Sequence, residues 1–395
     1  MKHNFRIIIG MLLLAIPLCM NAQVKPIKPA EEPKKVKVEK VEQEKLEKEM
    51  ADKESREKKE HKGGFEMPKI SGFVQGMYQA DLDEAGTLTG NTLRMRRVRL
   101  SVDGTLFKGL TYKIQGDFSR SPMLVDAYVK YKPCNEFAIQ IGQFKTPFSI
   151  ESPINPVNLE IFDYGEAIQG LVGYKDVCGV GSLGRDLGIM ATGSLFPVKG
   201  EEGIKYHVVN YALGVFNGNG ANQLDNNNRK DIVGRLEVHP GLKALTLSGS
   251  LYFGKYTKDD NVNCTRNRWA AGAQYNDGKL VIRGEYISGT TGFMADVIGE
   301  EGQITDIIEL PTKSEGYYAV AGYNFRLGKE GKQTLMPVLR YEHFDKNGLS
   351  GTEWYTVGIN YWPLKSLNFK FDYSLIMTGS DIDGHRVVGI LSYKF

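Results

Sequence analysis

The feature that most constrains this chain is an alternation of apolar and polar side chains with a period of two, repeated from about residue 69 to the end. Val98, Leu100 and Val102 interleave with Arg97, Arg99, Ser101 and Asp103. Leu110, Tyr112, Ile114, Gly116 and Phe118 interleave with Lys113, Gln115 and Asp117, and Leu367, Phe369, Phe371, Tyr373 and Leu375 with Asn368, Lys370, Asp372 and Ser374. Successive side chains of a strand point to opposite faces, so each stretch is a strand with one oily side and one wet side. Each is about 10 residues long, enough for a tilted strand to cross a bilayer. Beyond the first 22 residues no run approaches the roughly 18 apolar residues that a membrane helix needs.

About sixteen such segments lie between residues 69 and 395, an even number of the kind bacterial barrels require. Their connections alternate in length. Lys108-Gly109, 133–135, 240–242, Asn276-Asp277-Gly278 and 363–365 are tight, whereas 218–230, 257–266 and 291–313 are long. The expectation is an all-β fold: an antiparallel transmembrane β-barrel of about 16 strands over residues 65–395, with short turns at one end and long loops at the other. The final strand, 386–395, ends on Phe395 with Tyr393 two residues before it. Pairing of that strand with the first would remove the exposed edge. An aromatic end of this kind resembles the signal read by the outer-membrane barrel-assembly machinery, making that machinery an expected partner through Phe395, beside outer-membrane lipid. The longest connection, 146–184, is too long to be a structureless surface loop in a compact domain. It is expected to fold into the lumen and narrow it.

Two further segments precede the barrel. Residues 1–22 read as a secretory signal peptide: Lys2 and Arg6, then an apolar stretch over 7–18, then a small-residue cleavage site. Residues 23–64 are Pro-rich and then Lys/Glu-rich, with no aromatic residue. They are expected to form a charged periplasmic stalk, either a helix or weak coiled coil or a disordered tail. Cys134, Cys178 and Cys264 are odd in number and widely spaced, giving neither a disulfide framework nor a metal pattern.

Several stretches resemble one known family. Arg96-Arg97-Val98-Arg99-Leu100-Ser101-Val102-Asp103-Gly104 looks like the second strand of the phosphate-selective porin O/P family. Asp126-Ala127-Tyr128-Val129, Ile141-Gly142-Gln143-Phe144-Lys145-Thr146-Pro147-Phe148-Ser149 and Arg185-Asp186-Leu187-Gly188-Ile189 are similar to its next signatures, in the same order. The resemblance covers residues 68–395, its specific motifs being confined to about 93–190. It implies a sixteen-stranded, usually trimeric outer-membrane porin for small anionic solutes, with no cofactor.

Charge does not by itself establish anion selectivity. The chain carries 50 Lys+Arg and 47 Asp+Glu. Setting aside 2 basic residues in the leader, and 13 basic and 11 acidic residues over 24–64, leaves the barrel with 35 basic against 36 acidic. By alternation Arg97, Arg99, Lys113, Arg235, Arg283, Arg340 and Lys370 face inward and are the candidate anion-contacting, pore-lining residues. Asp117, Glu237, Glu285, Glu342 and Asp372 lie near them, and cross-strand ion pairs within the wall are the competing role. The long connection holds Glu151, Glu160, Asp163, Glu166 and Asp176 against Lys175 alone. Glu151, Glu160, Asp163 and Glu166 are therefore the candidate constriction-loop residues, setting the field at the narrowest point.

Other chemistries fit less well. Gly179-Val-Gly-Ser-Leu-Gly184 matches a dinucleotide fingerprint in letters but lacks the strand before it and the helix after it. His61, His207, His239, His343 and His385 show no metal-ligand spacing. The expected function is a passive diffusion channel for small hydrophilic solutes or ions, anions such as phosphate among them. It would lie in the outer membrane of a Gram-negative bacterium, with its N-terminal segment in the periplasm, no metal, no catalytic residue and no nucleic-acid partner. The alternatives are a non-conducting structural or adhesive barrel that binds partners through its loops, and an outer-membrane hydrolase using His385 beside Asp381 and Asp383.

Overall fold

The computed structural model describes residues 67–180, 183–201, 203–257, 263–298, 304–328 and 331–395. The leader and the charged segment expected over 1–22 and 23–64 lie outside the described residues. Strands β1 (Lys69–Leu82), β2 (Leu88–Phe107), β3 (Leu110–Asp117), β4 (Leu124–Tyr131) and β5 (Ala138–Lys145) come first. A six-residue helix α1 (Glu166–Leu171) follows within the long connection. The wall continues with β6 (Arg185–Gly200), β7 (Gly203–Phe216), β8 (Asp231–Val238), β9 (Leu245–Thr257), β10 (Asn263–Asn276) and β11 (Leu280–Ile298). It ends with β12 (Ile304–Tyr323), β13 (Phe325–Leu327), β14 (Gln333–Asp345), β15 (Thr352–Leu364), β16 (Leu367–Thr378) and β17 (Asp381–Lys394). Segments β12 and β13 both pair with β14 and form one wall strand broken at Asn324, so the wall has sixteen strands.

Every pairing is antiparallel between neighbours, and β1 pairs with β17 from Phe73↔Lys394 to Leu82↔His385. The sheet is thus closed, which satisfies the backbone groups that lipid cannot. At the seam the Gly72 N–H donates to the Phe395 carbonyl at 3.0 Å and the Phe395 N–H to the Gly72 carbonyl at 3.1 Å. A Cβ at position 72 would come within 2.6 Å of the Phe395 ring and 2.5 Å of the Arg99 carbonyl, so the closure needs glycine there.

The alternation sorts the side chains as the sequence predicts. Leu100, Phe371 and Leu391 face outward, while Arg99 and Lys370 are buried inside. Tight turns carry matching chemistry: at 276–278 the Asn276 side chain accepts from Gly278 N–H at 3.0 Å, and Gly278 has φ +88°. Two expectations are corrected. The long connection expected over 257–266 is shorter, because Asn263 to Arg266 already pair with Thr257 to Gly254 in the β9–β10 ladder. Residues 291–313 are not a loop, because the β11–β12 ladder runs on from Thr291↔Thr312 to Ile298↔Ile304. The β10–β11 ladder stops at Arg266↔Thr291, so the hairpin extends past its neighbour on that side.

Candidate functional site: a partitioned lumen

The connection 146–184 crosses the barrel interior and is gripped by inward-facing wall residues. Its apolar side chains Phe148, Leu159, Ile168 and Leu171 are at most 1% exposed. They share one cluster with Val233, Tyr252, Ala270, Val281, Ile287, Val320, Met336 and Val338, which lie on the inner faces of β8 to β14. Full burial of such side chains contributes about 1.5–3 kcal/mol each.

Polar contacts fix the same segment. Glu151 is fully buried, with Arg340 at 2.8 Å and Arg283 at 3.3 Å. Burial alone would raise its carboxyl, but Arg340 and Arg283 overcome that and hold it below the ordinary carboxylate value. Glu160 meets Arg283 at 2.5 Å, and Asp176 takes two hydrogen bonds from Arg268 at 2.5 and 2.6 Å. Lys370 donates to the Leu159 and Ile161 carbonyls, and the Asn360 amide to the Glu160 carbonyl at 2.7 Å. Glu285 accepts from Ser149 Oγ and Ile150 N–H, both at 2.8 Å. Arg235 donates to the Ser149 carbonyl at 3.1 Å and lies 3.3 Å from Glu237.

Helix α1 closes the dock. A Cβ on Gly165, its N-cap, would come within 2.0 Å of Arg340 Nη2 and 2.2 Å of Glu342 Oε2. Glu166 begins the helix; burial and the neighbouring Glu342 carboxylate raise its pKa.

The opposite side, along β2 to β6, is open, and its character comes from a β-bulge. Pairing of β1 with β2 jumps from Gln75↔Arg97 to Gly76↔Met95, leaving Arg96 without a partner. Strict alternation would send Arg94 and Arg96 outward. With the bulge, Arg94 lies opposite the buried Met77, and Arg96 and Arg97 both reach Asp163, the latter at 3.0 Å. Arg94, Arg96, Arg97 and Arg99 therefore all serve the interior from one strand.

Two cavities meet at Arg99. The one toward the long connections, about 560 Å³, is lined by Arg94, Arg96, Arg97, Arg120, Lys175 and Arg386 against Asp117, Asp163 and Glu166. The one toward the short turns, about 260 Å³, is lined by Lys113, Lys145, Arg185, Gln115, Gln140 and Asp126. Between them the arginines are held by wall aspartates: Arg99 by Asp117 at 3.0 Å and Arg185 by Asp126 at 2.7 and 3.3 Å. Lys145 is anchored by the Ile154 carbonyl at 3.2 Å and Tyr164 Oη at 2.9 Å.

The structure thus brings Arg97, Arg99 and Lys113 to the open side, with Asp163 and Glu166. It places Arg283, Arg340 and Lys370 under the connection, together with Glu151 and Glu160, and Arg235 beside its start. Arg94, Arg96, Lys145 and Arg185 were missed by alternation. The Arg185–Asp126 pair joins two of the motifs noted above, a signal the sequence did offer.

A closed, sixteen-stranded antiparallel barrel with an apolar outer face and an inward-folded third long connection defines a porin-type outer-membrane channel. The family model for phosphate-selective porin O and P matches residues 69–385, and the chain belongs to that family. It is a family of porins, channels rather than enzymes. The chain is also similar to the anion-selective porin from Comamonas acidovorans (16% identity, 83% of this chain and 99% of that one, TM-score 0.57). Similar too are the Salmonella typhi OmpF complex with daunomycin (14%, 83% and 97%, 0.56) and the channel DcaP of Acinetobacter baumannii (13%, 85% and 98%, 0.56). At these identities the likeness speaks for the fold. A comparison with curated proteins finds no match.

Proposed function

We propose that this porin conducts small anionic solutes along the β2–β6 side of its lumen, passing from the larger cavity to the smaller one at Arg99. The observation that carries this reading is the bulge at Arg96, which lines one passage with four arginines from a single strand. Desolvated anions need such compensation where a pore narrows. The wall aspartates beside Arg99 and Arg185 keep the guanidiniums placed while leaving donors to share, which favours transit over capture. Reversing Arg97 and Arg99 to Glu should move the zero-current potential in a salt gradient toward cation preference in a planar bilayer. Arg94→Glu, which breaks no ion pair among the described residues, should shift it the same way. An unchanged potential in both would end the anion reading.

The channel also fits a homotrimer inserted by the barrel-assembly machinery, with its N-terminal segment in the periplasm. An aromatic girdle of Trp269, Tyr286, Tyr317, Tyr341 and Tyr355, with ring centroids 5.0 to 6.5 Å apart, covers the outside of β10 to β15. The outside of β2 to β8 presents Leu100, Ile114, Ile141, Leu187 and Leu236 instead, a surface suited to neighbouring copies. Native mass spectrometry in detergent distinguishes a trimer from a monomer.

A further inference from the structure

The cavity above Arg99 holds more than an inorganic anion can use. At about 560 Å³ it lies within the range of organic-ligand sites and several times above the volume of orthophosphate. Three of its cations, Arg94, Arg120 and Lys175, make no ion pair among the described residues, whereas Asp163 and Asp117 are already engaged by Arg96, Arg97 and Arg99. Its lining is also not only ionic. The Phe162 ring, half-buried against Met77, Val388 and Ile390, forms part of the wall. The amide oxygens of Gln79 and Gln169 offer acceptors beside it, their nitrogens being engaged by Asp81 and by the Tyr164 carbonyl. Free guanidinium and ammonium groups suit a multivalent anionic group. A fixed ring face and neutral amides suit the apolar face and hydroxyls of a sugar.

We infer that this chamber is a recognition station for acidic sugars, a phosphorylated or sulfated mono- or disaccharide, rather than for inorganic anions alone. The inference rests on the reading of the chamber as the solute's entry. A sugar ring on Phe162 places its charged substituent among Arg94, Arg120 and Lys175, and Gln79 and Gln169 take the hydroxyls. Arg99, at the floor, then receives the charged group first as the solute moves on.

Calorimetric titration of the full-length, detergent-solubilised protein tests this without relying on conduction, using glucose 6-phosphate, orthophosphate and glucose. The expected result is that glucose 6-phosphate binds about ten-fold tighter than orthophosphate, with glucose weakest. Phe162→Ala should weaken glucose 6-phosphate about five-fold and leave orthophosphate unchanged, whereas Lys175→Ala should weaken both alike. Orthophosphate binding as tightly as the sugar phosphate, glucose binding as tightly as either, or no binding of any of the three overturns the inference. So does a Phe162→Ala variant that binds the sugar phosphate normally. An anion-preferring reversal potential combined with any of those outcomes removes the acidic-sugar station and leaves the anion channel standing.

Discussion

The two sides of the lumen use the same residue types for opposite ends. Along β8 to β14 the inner wall alternates apolar side chains with arginines, and each of Arg268, Arg283 and Arg340 is matched to a carboxylate of the crossing connection. Along β2 to β6 Arg99 pairs with Asp117 and Arg185 with Asp126 within the wall, Arg96 and Arg97 share Asp163 of the connection, and the connection leaves two cavities between itself and the strands. An inward-facing arginine is therefore not in itself a pore residue. Its role depends on whether the segment that fills the lumen packs down over it or leaves a cavity beside it.

The sharpest way to break this contrast is Glu151→Gln, which leaves Arg283 and Arg340 buried with reduced compensation. A loss of about 3–5 kcal/mol is expected, read as a lower unfolding temperature of the barrel. Gly165→Ala acts on the same dock by steric means and should cost about 1–3 kcal/mol in that assay. On the open side, Lys113→Gln should halve anion conductance, roughly, while stability stays within about 0.5 kcal/mol. If Lys113→Gln destabilised the barrel as Glu151→Gln does, the two sides would not differ in kind. The smallest effect concerns pH. Glu166 lines the upper chamber with a raised pKa, caused by burial and then by Glu342, so acidification removes its negative charge earlier than for an ordinary glutamate. Anion preference should rise modestly as the bathing pH falls from about 7 to about 5, and Glu166→Gln should flatten that rise.

Much of this was legible in the sequence, because a wet lumen and an oily exterior impose period-two patterning on every strand. Arg99, Arg235, Arg283, Arg340 and Lys370 all occupy the inner face on that ground alone. The extent of β11 and β12 was not legible: the hairpin beyond Thr291 is held by its own ladder, and its residues read equally well as a polar loop. Nor was the inward turn of Arg94 and Arg96, since a bulge is a property of two strands and their register. The division of labour among the basic residues depended on which of them the connection covers. That is a matter of contacts between residues more than a hundred positions apart, such as Glu151 with Arg283.

The single unpaired residue in β2 has a consequence for how such a strand can change over evolutionary time. Deleting the codon for Arg96 would remove the extra residue and leave Met95 opposite Gly76 and Arg94 opposite Met77, with every remaining side chain on its present face. A slip that drew Arg96 into the ladder opposite Gly76 would instead rotate everything above by one face, delivering Leu93 and Met95 to the water column and presenting guanidinium groups to hydrocarbon. The sidedness of this strand is therefore indifferent to the presence of the bulged residue but not to its pairing, so among related channels this stretch should vary by loss of the whole bulge rather than by a one-residue slip of the strand beyond it.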